Sequence, residues 1–171
     1  IESEPEAVAF STHTGFGPLP EIRGVRIISF LFLRDPVARI ASAYRFERRQ
    51  DSAGFGATLA KATDLGGYVR CRLAISGDRQ CRNFQAHRLA SCGTEGDTEY
   101  DRAVSGVGAL SFVGLVERFE RSLEELGSLI TREFPDFAVR PVHLNRSRRA
   151  GQIGARIDAE ARRLLSEANC D

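Results

Sequence analysis

FLFLRDPVARIASAYRF, residues 30–46, is an apolar run that stops at Arg34-Asp35-Pro36 and resumes with arginines, a serine and a tyrosine at helical spacing. Extended upstream to VRIISFLFL, 25–33, the apolar part reads as a strand buried on both faces, the kind found inside parallel sheets. Asp35 can cap the helix that follows, with Pro36 at its first position, where a missing N–H costs nothing, and that helix runs to about Arg49. An arginine at the tip of a buried strand therefore needs a reason. In an open parallel sheet, ligands bind beyond the carboxyl ends of the strands, where helix N-termini also point. Arg34 sits at such an end, and Arg39 and Ser42, three residues apart, share one face of the helix. A guanidinium from the strand tip and a hydroxyl from the helix can converge on one phosphate.

Outward from this stretch, the pattern repeats. LSFVGLV, 110–116, is a second strand, followed by ERFERSLEELGSLITREF, 117–134, whose Phe119, Leu123, Leu126, Ile130 and Phe134 fall on one helical face. Between the two units, DSAGFGA (51–57) breaks the chain, two or three short helical pieces lie between Thr58 and Ser91, and CGTEGDTEYD (92–101) is a polar loop. RPVHLNRSRRAG, 140–151, is a basic loop, and 158–168 forms a last amphipathic helix capped by Asp158, with Leu164, Leu165 and Ala168 inward. Strand then helix, twice, with further helices between, is an α/β layered architecture. Two strands do not complete a sheet. The others are weak segments such as 8–11 and 139–143, or precede Ile1.

Length and composition set the outer bounds. With 171 residues, 42% of them hydrophobic, the chain can bury a sizeable core as one domain spanning 1–171. No apolar stretch reaches the roughly 18 residues of a membrane span. A net charge of +1 argues against a generic nucleic-acid or membrane surface. All but one of the 24 basic residues are arginine, the exception being Lys61, which reflects a GC-rich genome before anything else, although arginine also suits bidentate contact with oxyanions. Cys71, Cys81, Cys92 and Cys170 fit neither a zinc site nor a redox motif, so no metal is expected, and a disulfide among the first three stays open. The composition favours a bacterial cytoplasm; a luminal domain released from a Golgi anchor would have the same composition.

Arg34-Asp35-Pro36-x-x-Arg39-x-x-Ser42-x-Tyr44 resembles the 3′-phosphate-binding motif of sulfotransferases that use 3′-phosphoadenosine 5′-phosphosulfate (PAPS), in particular the carbohydrate-type group that includes heparan sulfate 2-O-sulfotransferases. NFQAHRLASCG (83–93) is similar to that family's N-x-Q-x-R-x-L stretch, FVGLVERFERSLEEL (112–126) to its strand-and-helix segment, and HLNRSRRAG (143–151) to its basic loop. The likeness covers about residues 8–168 in the family's order. It implies a P-loop NTPase-like parallel-sheet fold with flanking helices, with Arg34 and Ser42 on the 3′-phosphate of the donor and Arg148 and Arg149, with Ser147 nearby, closing over it. It also implies His13, in FSTHTGFG, as the catalytic base, since imidazole with a pKa of about 6.5 can take a hydroxyl proton near neutrality. Glu117 matches a family glutamate, and we assign it structure before catalysis; Tyr44 reads as packing. His87 and His143 have no such context.

The implied reaction moves a sulfuryl group from PAPS to a hydroxyl, on a carbohydrate or small molecule, without a metal. A glycine-rich, lysine-containing loop should cradle the 5′-phosphosulfate, and it is absent from this sequence. Lys61 lies downstream of the Arg34 motif, and GVGALSFVG (106–114) precedes a strand where a phosphate loop follows one. The first strand and its loop are therefore expected upstream of Ile1. Two other classes compete: a nucleotide-binding or regulatory module of the same fold without chemistry, and an arginine-rich nucleic-acid-binding domain using Arg45, Arg48, Arg49, Arg146, Arg148 and Arg149, against which the low net charge counts.

Overall fold

A computed structural model describes residues 9–12, 15–140 and 158–169. The chain is a mixed α/β protein in which helix predominates. Its elements are β1 (Phe30–Leu33), α1 (Pro36–Arg49), α2 (Phe55–Ala62), α3 (Leu65–Ala74), α4 (Phe84–Ala90), α5 (Glu99–Ala109), β2 (Phe112–Leu115), a 3₁₀ turn (Val116–Arg118), α6 (Phe119–Ile130) and α7 (Ala159–Glu167). β1 and β2 pair in parallel with Phe30 opposite Phe112 and Leu33 opposite Leu115, so both strands end at the same level. Five helices fill the crossover between them.

The strand at the Arg34 motif is shorter and more open than its sequence implies. Ladder pairing starts at Phe30, which is itself half exposed, and Val25 is exposed as well. Among the described residues β1 has a neighbour on one edge only, and none of its four residues is fully buried, in contrast to the double burial expected of 25–33. Residues 9–11 and 139–140 form no strand; 8 and 141–143 lie outside the described residues.

α1 forms as expected: Asp35 Oδ1 accepts the Ala38 N–H at 2.8 Å, and Pro36 occupies the first turn. α7 is capped the same way by Asp158, which accepts the Ala161 N–H at 2.6 Å. Ser122 in α6 binds back to Leu115, its hydroxyl accepting the Leu115 N–H at 3.0 Å, which closes β2 onto the helix that follows. α5 departs from the expected polar loop. Thr98 and Asp101 make a reciprocal capping box that starts a helix inside CGTEGDTEYD. Gly106, expected near a strand, lies within this helix, and it is a glycine because a β-carbon there would stand 2.0 Å from the Leu89 carbonyl oxygen of α4.

The core lies among α1, α2, α3 and α7, where Ile40, Tyr44, Ala60, Leu65, Tyr68, Val69, Cys81, Ala161 and Leu165 pack together. Tyr44 is packing, as expected: it is 4% exposed and its hydroxyl donates to the Thr63 carbonyl at 2.8 Å. Against this core lies a charged network. Arg72 donates to both oxygens of Glu47 at 3.0 and 2.9 Å and to Asp78 at 2.6 Å; Tyr68 and Gln80 add hydrogen bonds to Glu47 at 2.8 and 3.0 Å. Burial alone would lower the Arg72 pKa, but Asp78 and Glu47 outweigh it and raise the pKa, so the guanidinium stays charged. Cys71, Cys81 and Cys92 are all free thiols.

Candidate functional site

Where β1 ends, the chain leaves the ladder and its backbone groups lose their strand partners. Side chains from two other elements replace them. Arg34 donates its N–H to Gln85 Oε1 at 2.8 Å and receives the Gln85 amide on its carbonyl at 2.7 Å; the Asp35 N–H donates to Glu117 Oε1 at 2.9 Å. Glu117, exposed at the turn after β2, thus ties the two strand ends together, the structural duty expected of it. The Arg34 backbone is held from both sides. Its half-buried side chain makes no hydrogen bond or ion pair among the described residues, and neither does the half-buried Ser42 hydroxyl two turns into α1.

Arg39 does not join them. Its guanidinium stacks 4.4 Å over Phe84 and donates to Gln80, both to its side-chain oxygen at 3.2 Å and to its carbonyl. Burial lowers its pKa. Its neighbours are those of the core network, so the second arginine of the motif fixes α1 against the start of α4.

α4 is the hub of this region. One residue beyond Phe84, Gln85 grips Arg34; a turn later, Arg88 donates to the Gly15 carbonyl at 3.0 Å and stacks 3.8 Å over Phe16, and Ser91 Oγ accepts the Gly17 N–H at 2.7 Å. Gly17 must be glycine, because a β-carbon would lie 2.2 Å from the Ser91 carbonyl oxygen. The segment that follows His13 is thereby fastened to the helix that grips Arg34. His13 itself lies outside the described residues, as do Ser147, Arg148, Arg149 and His143.

The sequence left His87 without context, and the fold supplies one. His87 Nδ1 lies 3.0 Å from Glu99 Oε2, Arg79 donates to Glu99 Oε1 at 3.0 Å, and the Phe16 ring meets the imidazole edge-on at 5.6 Å. Glu99 is the first residue of α5. The Thr98–Asp101 pair was the signal available: it marks a helix start and hence a carboxylate in a first turn. Lys61 stands exposed in the last turn of α2, away from both strand ends in sequence and without a partner among the described residues. No three His, Cys, Asp or Glu side chains come together as a metal-holding group among the described residues, and no helix there is long and apolar enough to cross a membrane.

No family model matches the chain, and no solved structure matches it. It is 40% identical over 152 residues to an uncharacterized protein of Archaeoglobus fulgidus, an alignment that takes in 85% of this chain and 60% of the relative. The chain thus spans less than two thirds of that relative's length.

Proposed function

We propose that this chain is a sulfotransferase, built on a P-loop NTPase-like parallel-sheet fold, that moves a sulfuryl group from PAPS to a hydroxyl of a carbohydrate. One observation carries the reading. At the carboxyl end of β1, three consecutive backbone groups are gripped by Gln85 and Glu117, while the Arg34 guanidinium they aim is left without a protein partner among the described residues. A rigid backbone under an uncommitted arginine suits a ligand-binding group; by contrast a structural arginine in the same fold, Arg72, places both terminal nitrogens on carboxylates.

The residues present fit a phosphate. Arg34 offers a planar fork of donors that matches phosphate oxygens in pairs, and Ser42 adds one hydroxyl donor. These two hold the 3′-phosphate, with Ser147, Arg148 and Arg149 as further candidates. PAPS, when bound, supplies the electrophilic sulfur and a phosphate leaving group. His13 takes the proton of the acceptor hydroxyl, and Arg88 and Ser91 hold the described residues Gly15 and Gly17, which follow it in sequence, against α4.

Calorimetry on the full-length protein with 3′-phosphoadenosine 5′-phosphate tests the binding half of this reading. Saturable binding is expected; its absence overturns both the sulfotransferase and the nucleotide-binding module. Transfer of radiolabelled sulfate by wild type and His13→Ala tests the chemistry. A rate that His13→Ala leaves unchanged removes His13 as base, and nucleotide binding without any transfer leaves the module.

A further inference from the structure

A hollow of about 400 Å³ opens between the start of α4 and the start of α5, lined by Asn83, Ala86, Thr98, Glu99 and Tyr100. That volume is within the roughly 300–1,000 Å³ span of small-molecule sites. We propose that this hollow binds a pyranose ring, two neighbouring hydroxyls of which donate to the Glu99 carboxylate while a C–H face of the sugar lies on Tyr100. The inference rests on the sulfotransferase reading for its purpose, since the sugar would be the acceptor, but not for its geometry.

The chemistry of the wall selects the ligand. An ionised carboxylate offers about four acceptor positions. On Glu99 one is taken by Arg79 through Oε1 and one by His87 through Oε2, so each oxygen keeps one acceptor position and the group is held from both flanks. Two acceptors at the fixed spacing of a carboxylate suit two adjacent ring hydroxyls. Tyr100 is 56% exposed, a flat apolar face available for stacking. An anionic ligand would meet the Glu99 charge directly. A guanine base could also present two N–H groups to Glu99 and find a donor for its carbonyl in the first-turn N–H groups of α5, so guanosine is the competing ligand in the test. A neutral polyol ring matches both the carboxylate and the Tyr100 face.

Glu99 links the hollow to His87, and the Phe16 ring meets His87 edge-on; in sequence, Phe16 follows His13 by three residues. Asn83, in left-handed backbone conformation with φ 44°, and Gln85, which grips Arg34, bracket Phe84 at the head of the same helix.

Saturation-transfer NMR on the full-length protein tests this with a mixture of methyl glucoside, galactoside, mannoside and N-acetylglucosaminide, and with guanosine in a separate tube. Ring-proton saturation of at least one pyranoside is expected, abolished in Tyr100→Ala and reduced at least five-fold in Glu99→Gln, both with unchanged circular dichroism. No saturation of any pyranoside, saturation of guanosine alone, or sugar saturation that survives both variants overturns the proposal. The nucleotide calorimetry is independent of it: nucleotide binding without sugar contact sinks only this site, and sugar contact without nucleotide binding sinks only the sulfotransferase.

Discussion

Arg72 and Arg34 show two uses of one side chain within a single domain. Arg72 rises from α3 into the network beside the helical core, with an 11% exposed side chain bonded to Glu47 and Asp78. Arg34 leaves the end of β1 with its backbone tied at both N–H and carbonyl and its guanidinium uncommitted among the described residues. In the first case the charge is held by the side chain and the backbone is ordinary helix. In the second the backbone is held and the charge is kept available. A part-exposed guanidinium without a partner among the described residues can stay hydrated, and it is free to meet an anion from outside, which is what the proposed function asks of it.

The difference is largest when each arginine is removed. Replacing Arg72 with Met leaves Glu47 and Asp78 facing each other across a poorly hydrated gap. Breaking one side of a buried ion pair costs about 3–5 kcal/mol, and urea unfolding of Arg72→Met should show a loss of that size. A loss under about 1 kcal/mol would mean that the two carboxylates reach water, and the contrast with Arg34 would weaken.

The complementary change comes next in size. Arg34→Ala should leave the free energy of unfolding within about 0.5 kcal/mol of wild type, because the side chain supports nothing among the described residues and Gln85 bonds only to its backbone. Affinity for 3′-phosphoadenosine 5′-phosphate should fall roughly 10- to 100-fold, the worth of about 1.5–3 kcal/mol for hydrogen bonds to a charged group. A variant that binds normally but unfolds easily would make Arg34 a second Arg72.

How far the sequence reveals these two regions follows from the range of the forces involved. α1 is legible because its signals are local: Asp35 caps it, Pro36 fits its first turn, and its end at Arg49 falls where the spacing places it. The apolar stripe of α6 is equally local, although its helix ends at Ile130 and leaves Phe134 exposed beyond it. α5 is not legible by composition, since its first residues look like a polar loop and its glycines like a turn; the reason for Gly106 is the backbone of another helix. Arg34 is legible as an arginine at a strand tip. Gln85, fifty-one residues away, carries no local mark of its double hydrogen bond to that tip, and neither does the meeting of His87 with Glu99. Arg39 shows the converse: helical spacing put it on the face of Ser42, but Phe84 and Gln80, from distant parts of the chain, took its charge.

The smallest effect tests whether the helical core depends on its groups keeping one protonation state. Cys81 is fully buried, and burial pushes its thiol pKa up from about 9 to about 12, with the charge of Arg39 acting in the opposite direction. A group whose folded pKa is raised stabilises the fold below its unfolded pKa and loses that contribution as pH rises towards its folded one. The unfolded thiol ionises near 9 while the folded one stays protonated, so stability should decline from about pH 9 towards 12. The slope attributable to this thiol is about 1 kcal/mol per pH unit at pH 10. Tyr68, also raised chiefly by burial, steepens the decline above its ordinary pKa near 10. Urea midpoints of wild type and Cys81→Ala between pH 8 and 10.5 isolate the thiol: the variant starts lower because of the cavity but should fall less steeply from pH 9 to 10. Parallel curves would mean that water reaches the thiol, and the dry side of the network would have to be placed elsewhere. Because Arg34 and Ser42 lie outside this packing cluster, Arg34→Ala should leave the slope unchanged, which separates the two regions by a property unrelated to any ligand.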